Sequence, residues 1–275
     1  MISYPNVKLN LGLHVIRKRP DGFHDLETLF VPYFPITDIL EITAEGRSDC
    51  SEGAALPNIS AATEGQSAGH DGSTIEIIGG GWDPQTDLCW RALQLLKADF
   101  DIPEVHIKLT KRAPVGAGLG SGSSDAAFTL RMLNTMFGLG LDDSALAACA
   151  ARLGSDCAFF IYNRPMIGEG RGEMLSPYDI DLSAYDIRVE IPQGVAVSTK
   201  EAYSGIKPHL PENDLRMVLS TPPEQWSGKL VNDFETTVFA VHPEIAALKR
   251  RLYDEGAVYA AMSGSGSAVF GIFEK

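Results

Sequence analysis

The segment PVGAGLGSGSSDAA, Pro114 to Ala127, interleaves Gly116, Gly118, Gly120 and Gly122 with Ser121, Ser123 and Ser124. Glycine lets a backbone come close to an anion, and the free N–H groups at a helix start point at it. Serine hydroxyls add donors and can ligate magnesium. The chemistry such a loop serves is phosphate binding; a flexible connection or helix cap is the alternative for an isolated Gly/Ser run. Spacing excludes the common phosphate and nucleophile loops. No lysine follows the glycines, as GxxxxGK[ST] requires. Serines stand where the third glycine of GxGxxG falls, at Ser121 counting from Gly116 and at Ser123 counting from Gly118. No serine of this loop has glycine two positions away on both sides, so the loop is not a nucleophile elbow.

A loop of this kind works only between a strand and a helix, and both are legible. Val105, Ile107 and Leu109 alternate before it, and Ala126, Ala127, Leu130, Leu133 and Phe137 repeat at helical spacing after it. Val7, Leu9, Leu11, Leu13 and Val15 predict a strand over residues 7–17, followed by a turn at Pro20-Asp21-Gly22. Strand character continues through residues 24–42 and returns at Ile75–Ile78. Helices are predicted over Leu88–Leu96, from an Asp142 or Asp143 cap to Leu153 with Gly154 closing it, and over Glu244–Tyr253. Ile187–Ile191 reads as a strand, and Tyr259–Met262 and Ala268–Phe273 as strands around a second Gly/Ser turn, Ser263 to Ser267. Residues 44–73 lack periodicity and read as a surface insertion. Strands and helices mix without strict alternation, which predicts an α+β fold.

The 275 residues suffice for one or two domains. No run of eighteen apolar residues predicts a spanning helix, and MISYPNVKLN lacks a signal-peptide pattern. Cys50, Cys89, Cys149 and Cys157 have no metal-site spacing, so they are expected to be reduced in a cytoplasmic protein. A sequon at Asn58–Ser60 carries no weight without a secretory signal. The net charge of −13 argues against nucleic acid or an anionic membrane as partner. Local cations at Lys8, Arg17, Lys18, Arg19, Lys111 and Arg112 fit a small anionic ligand, or solvated strand ends.

Three separated motifs point one way. The chain resembles the GHMP kinase superfamily, whose long Pro-x₃-GLG-x₁₋₂-SS loop binds ATP phosphates. Pro114, Gly118, Leu119, Gly120, Ser123 and Ser124 fit that loop, Val7–Val15 its N-terminal motif and Met262–Phe270 its C-terminal one. Lys18–Phe30 (KRPDGFHDLETLF) and Leu153–Asp156 (LGSD) most resemble the branch acting on a cytidine diphosphate substrate. The similarity runs in order over almost the whole chain.

The resemblance implies a two-lobed α+β fold, with a ribosomal-protein-S5-like lobe over residues 1–164 and a ferredoxin-like lobe over 165–275. It implies ATP-dependent phosphorylation of a 2-hydroxyl on the substrate's methylerythritol unit, in non-mevalonate isoprenoid synthesis. Asp156 matches the catalytic aspartate and Lys8 its partner lysine; read alone, they are a helix cap and a strand-end cation. ATP falls to Pro114, Gly116, Gly118, Leu119, Gly120, Ser121, Gly122, Ser123 and Ser124, and Mg²⁺ to Ser124. Asn10, Phe23, His24 and Tyr203 match the substrate side, with His24 reading the cytosine edge and Tyr203 expected opposite Phe23. Asp125 is open between a magnesium role through water and helix-dipole compensation. Two departures stand out: Ser121 replaces a glycine common in the loop, and Arg171 stands where a small apolar residue is sometimes found near the substrate, open between contacting a phosphate and facing solvent. The rivals are a homoserine, mevalonate or sugar kinase of the superfamily, a ligand sensor on the same fold, and an interaction protein with glycine hairpins. DGFH weighs against the first, and Lys8 with Asp156 against the others.

Overall fold

The structure, a computed structural model, describes residues 1–44 and 72–275. Nearly all of the insertion expected over residues 44–73, with Cys50 and the sequon, lies outside the described residues. In chain order, β1 (Ile2–Ser3), β2 (Asn6–Lys18), β3 (His24–Thr37), β4 (Ile39–Ala44), β5 (Thr74–Ile78), α1 (Leu88–Lys97), β6 (Val105–Thr110), α2 (Ser121–Phe137), α3 (Asp143–Ala151) and α4 (Cys157–Tyr162) come first. They precede β7 (Met166–Gly170), β8 (Met174–Pro177), β9 (Tyr185–Glu190), α5 (Thr199–Tyr203), α6 (Leu215–Leu219), α7 (Phe234–Val241), α8 (Pro243–Asp254), β10 (Tyr259–Met262) and β11 (Val269–Glu274). Among the described residues no helix is long and apolar enough to cross a membrane.

Two compact units interleave along the chain. The first comprises Met1–Val7, Phe34–Pro114 and Ser121–Tyr162; the second comprises Lys8–Tyr33, Val115–Gly120 and Asn163–Lys275. Neither is therefore a single stretch of sequence.

The first unit carries a sheet in the order β1-β4-β6-β5, with β5 parallel to β6 and the other pairs antiparallel. Helices α1 and α2 pack together, α1 burying Cys89, Trp90, Ala92, Leu93 and Leu96 at helical spacing. Asp87 caps α1 by accepting from the Cys89 N–H at 2.8 Å. Asp142 caps α3 as predicted, accepting from Ala145 N–H at 2.7 Å. The other end of α3 differs from expectation: it stops at Ala151, with Arg152 as a right-handed C-cap, so Gly154 closes no helix. Gly154 instead permits a close approach, since a Cβ there would stand 3.2 Å from Cys157 Sγ.

A buried cation ties the end of β6 to α2 in this unit. Lys111, just past β6, donates to Asp125 at 2.6 Å and pairs with Asp38. The second Asp38 oxygen accepts from the backbone of Arg112 and, at 2.8 Å, of Ala113. Lys111 is thus spent inside the protein and is not a cation offered to a ligand, against the sequence expectation. Burial works to lower the Lys111 ammonium, but Asp125 and Asp38 outweigh it and the net direction is up. Burial pushes the Asp125 carboxyl up to about 8 against the pull of Lys111, with Asp38 adding to the rise. Replacing Lys111 with Met leaves two buried carboxylates facing each other, so unfolding stability should fall by about 3–5 kcal/mol. Urea denaturation checks this. The loss should grow as pH rises, because the orphaned carboxylates must then stay protonated against the pH.

The second unit holds two sheets, β2-β3-β7-β8 and β10-β11-β9. Strands β10 and β11 form the expected hairpin, Met262 opposite Val269, around the Gly/Ser turn. Leu13, Val15, Phe234, Val238, Ile245, Leu252, Met262 and Val269 share one apolar core. The strand β2 departs from a half-buried pattern. Every position from Asn6 to Val15 is buried, so its polar members Lys8, Asn10 and His14 face the interior as well.

Candidate active site

The inner polar face of β2 is held by hydrogen bonds. Lys8, 3% exposed, donates from Nζ to the Gly118 carbonyl at 2.9 Å and to Asn10 Oδ1. Asn10 donates to Thr28 Oγ1 at 3.0 Å, and the Thr28 hydroxyl donates to the Gly12 carbonyl. A buried ammonium costs several kcal/mol unless acceptors replace its water. The relay from Gly12 through Thr28 and Asn10 supplies one acceptor in a fixed direction, and the glycine loop supplies another. The Lys8 ammonium also lies 5.4 Å from the Phe30 ring centroid.

Two glycine segments close on this face. The Lys8 N–H donates to Leu119 O at 3.0 Å, and Ala268 N–H to Ala117 O at 3.1 Å. Asn10 N–H donates to Ser263 Oγ at 3.3 Å, whose hydroxyl donates to Gly118 O at 3.2 Å. Gly118 has φ +76°, and a Cβ on it would stand 2.1 Å from Ser263 O. Gly264 has φ +54°, and a Cβ on it would meet Gly118 O at 2.8 Å and Lys8 Nζ at 3.2 Å. Only glycine satisfies both demands at these positions. The turn is fixed from behind by Asn232, which donates to Met262 O and Gly264 O, each at 2.8 Å. Glu235 accepts from the Met262 N–H at 2.8 Å.

The aromatic residues gather at the β2–β3 turn. His24 stacks on Tyr203, with centroids 4.6 Å apart and planes 20° from parallel. Tyr203 is held in turn by an edge contact to Phe234 at 4.7 Å. Tyr203 therefore faces His24, and not Phe23 as expected. Phe23 is 55% exposed, and the Arg171 guanidinium lies 5.0 Å from its centroid. Burial, with Lys18 adding, holds the His24 imidazole below the ordinary histidine value.

In the first unit, Ser121 begins α2 in ordinary helical conformation, so serine is accommodated where the resemblance leads one to expect glycine. Ser124 Oγ is fully buried and has no hydrogen-bond partner among the described residues. Such an oxygen fits a magnesium ligand. Asp125 Oδ2 serves Lys111, and its Oδ1, like Ser124 Oγ, is buried without a hydrogen-bond partner among the described residues. Asp156 is half-buried in the turn between α3 and α4, 3.4 Å from Ser155 Oγ. Burial pushes the neighbouring Cys157 thiol up to about 11, so it stays a thiol at neutral pH. The structure thus brings Lys8, Asn10, Gly118 and Leu119 together, and His24 with Tyr203. Ser121, Ser123, Ser124 and Asp156 lie in the first unit.

The models for "GHMP kinases N terminal domain" and "GHMP kinases C terminal" match residues 87–164 and 224–275. A 4-diphosphocytidyl-2-C-methyl-D-erythritol kinase of Bacteroides fragilis is 46% identical, over 99% of this chain and 92% of that protein. Its counterpart in Parabacteroides distasonis is 44% identical over 100% of this chain and 92% of its own length. The chain belongs to the 4-diphosphocytidyl-2-C-methyl-D-erythritol kinase family. A crystal structure of 4-(cytidine 5'-diphospho)-2C-methyl-D-erythritol kinase covers 99% of this chain and 90% of that one, with a TM-score of 0.75 and 31% identity. The fold is accordingly the two-lobed α+β fold of GHMP kinases.

For a member of this kinase family, sequence reasoning missed Thr28, Asn232 and Glu235. Thr28 had a faint signal, a hydroxyl in phase with Leu26 and Phe30 along an apolar strand. Asn232 and Glu235 had none, because Asn-Asp reads as a turn in any sequence. If the loop holds ATP phosphate, as the resemblance implies, Gly118→Ala should lower ATP turnover roughly 100-fold, since a small displacement of the loop would misplace it. Gly116→Ala meets the same left-handed strain but no atom within 4 Å, so it should cost far less. Steady-state kinetics of the two variants, side by side, checks the assignment.

Proposed function

We propose that the chain transfers the γ-phosphoryl group of ATP to the 2-hydroxyl of 4-diphosphocytidyl-2-C-methyl-D-erythritol, giving the 2-phosphate and ADP. Membership of the kinase family supports the reaction. The observation that carries it is the buried Lys8 ammonium fixed on the carbonyl of Gly118, a cation built into a phosphate loop. Asp156 is the proposed general base. It takes the proton of the 2-hydroxyl as the oxygen attacks the γ-phosphorus and the bond to the β–γ bridging oxygen breaks. Lys8 orients that hydroxyl and offsets charge on the transferring group. These roles rest on the match of LGSD and VKLN to the family motifs.

The loop from Pro114 to Ser124 is the proposed ATP phosphate site, through its backbone N–H groups and the N-terminus of α2. Ser124 Oγ would hold magnesium, which when bound neutralises charge on the β and γ phosphates. Asn10 is placed on the substrate side, and Phe23, His24 and Tyr203 around the cytosine. Neutral imidazole offers one donor and one acceptor to the cytosine edge, and the lowered His24 value keeps it neutral at physiological pH. Residues 1–164 and 165–275 are the functional lobes of this reading. Its partners are small molecules and not nucleic acid, in line with the net charge of −13. A cytoplasmic location supplies ATP and reduced thiols.

The first test is ATP consumption with Mg²⁺ and the cytidine substrate, against mevalonate, homoserine and galactose. Turnover with the cytidine substrate alone is expected. Asp156→Asn should lower kcat by about 10²- to 10⁴-fold while ATP still binds; normal turnover would refute the base assignment. A pH series gives a second check. KM for the cytidine substrate should stay flat at neutral pH and rise only as pH falls below the ordinary histidine range, where His24 gains its proton. KM for ATP should not follow, and His24→Gln should remove the inflection.

A further inference from the structure

The family reading leaves Arg171 without a task. It sits in the turn between β7 and β8, with its side chain 42% exposed. Its guanidinium covers one face of Phe23 at 5.0 Å. Its backbone N–H donates to Glu173 Oε2, and Nε reaches the other Glu173 oxygen only at 3.5 Å. No hydrogen bond from its terminal amino groups is found among the described residues. The neighbouring arginines are committed. Arg17 pairs with Asp25, and Arg19 with Asp21 and Asp25, each at 3.1 Å. Arg171, paired with Glu173 through Nε alone, is therefore a planar, permanently charged donor anchored on an aromatic ring, whose terminal amino groups make no hydrogen bond among the described residues, in a protein of net charge −13.

We propose that Arg171 binds the diphosphate of the cytidine substrate. The proposal rests on the cytidine reading above, which puts the base against His24, Tyr203 and Phe23. A pyrimidine nucleoside carries its diphosphate one ribose away from the base. A guanidinium fixed beside the base platform is placed to meet it, and its fork matches two phosphate oxygens at once. The Phe23 ring then has two jobs: one face holds Arg171 and the other remains for the base.

The test measures binding of cytidine, CMP and CDP by calorimetry, with a saturating non-hydrolysable ATP analogue filling the other nucleotide site. Wild type, Arg171→Ala and Arg171→Lys are compared. In Arg171→Ala the affinity for CDP should fall roughly tenfold, the worth of one charge-assisted hydrogen-bond contact. CMP should lose less and cytidine nothing, and Arg171→Lys should recover part of the CDP affinity. Equal affinities in wild type and Arg171→Ala overturn the proposal. So does an equal loss for all three ligands, which would mean that Arg171 only steadies Phe23. Wild type that binds the ATP analogue but none of the cytidine compounds overturns the cytidine reading itself, and the proposal with it.

Discussion

Burying one ammonium group sets the terms for the second unit. Lys8 lies in the stretch of β2, Asn6 to Val15, that is buried on both faces, where an unsolvated charge is costly. The fold offsets that cost with directed acceptors, and each acceptor fixes something else. The Gly118 carbonyl faces Lys8 only if the loop turns through a left-handed glycine. Asn10 presents its oxygen to Lys8 because its amide nitrogen is engaged by Thr28. The Ser263–Gly264 turn lies so close to Gly118 that neither glycine admits a side chain. The two glycine motifs, far apart in sequence, are thus one local packing solution to a buried charge.

A second buried cation does a different job by the same physics. Lys111 is surrounded by carboxylates of Asp38 and Asp125 and spends its charge inside the first unit. It ties the residues just before the loop to Asp125 in α2, just after it. Both ends of the loop are held before any ligand arrives. Preorganised ends leave less conformational entropy to lose when an anion binds. The two lysines differ in the acceptors seen within their units: carboxylates of Asp38 and Asp125 face Lys111, whereas the Asn10 amide oxygen and the Gly118 carbonyl accept from Lys8.

The sequence exposes the elements of this arrangement better than its connections. Periodicity located β2, β6, α1, α2, α8 and the β10–β11 hairpin, because each buries a regular apolar stripe. It missed α4, whose six residues are too few to show a period, and it ran α3 past its true end because Gly154 imitates a C-cap. The glycine loop was legible because its composition is extreme. The functions of Thr28, Asn232 and Glu235 were not, since each acts through a partner distant in sequence. The same blindness placed Lys111 among ligand cations: a basic residue next to a phosphate loop looks identical whether or not carboxylates close over it.

The aromatic corner follows a different logic from the phosphate loop. In the proposed reading, backbone amides and a buried ammonium recognise any phosphate, and so they say nothing about which alcohol is phosphorylated. Selectivity must come from groups that read shape and hydrogen-bonding edges. The stack of His24 on Tyr203 supplies a flat surface and a neutral ring with one donor and one acceptor. Tyr203 is itself fixed by Phe234, which belongs to the core built on Leu13 and Val15 of β2. The strand that carries Lys8 therefore also supports the aromatic platform, through the apolar positions that alternate with its polar ones. One strand with both faces buried can link the generic part of the chemistry to the selective part, which a half-exposed strand cannot do.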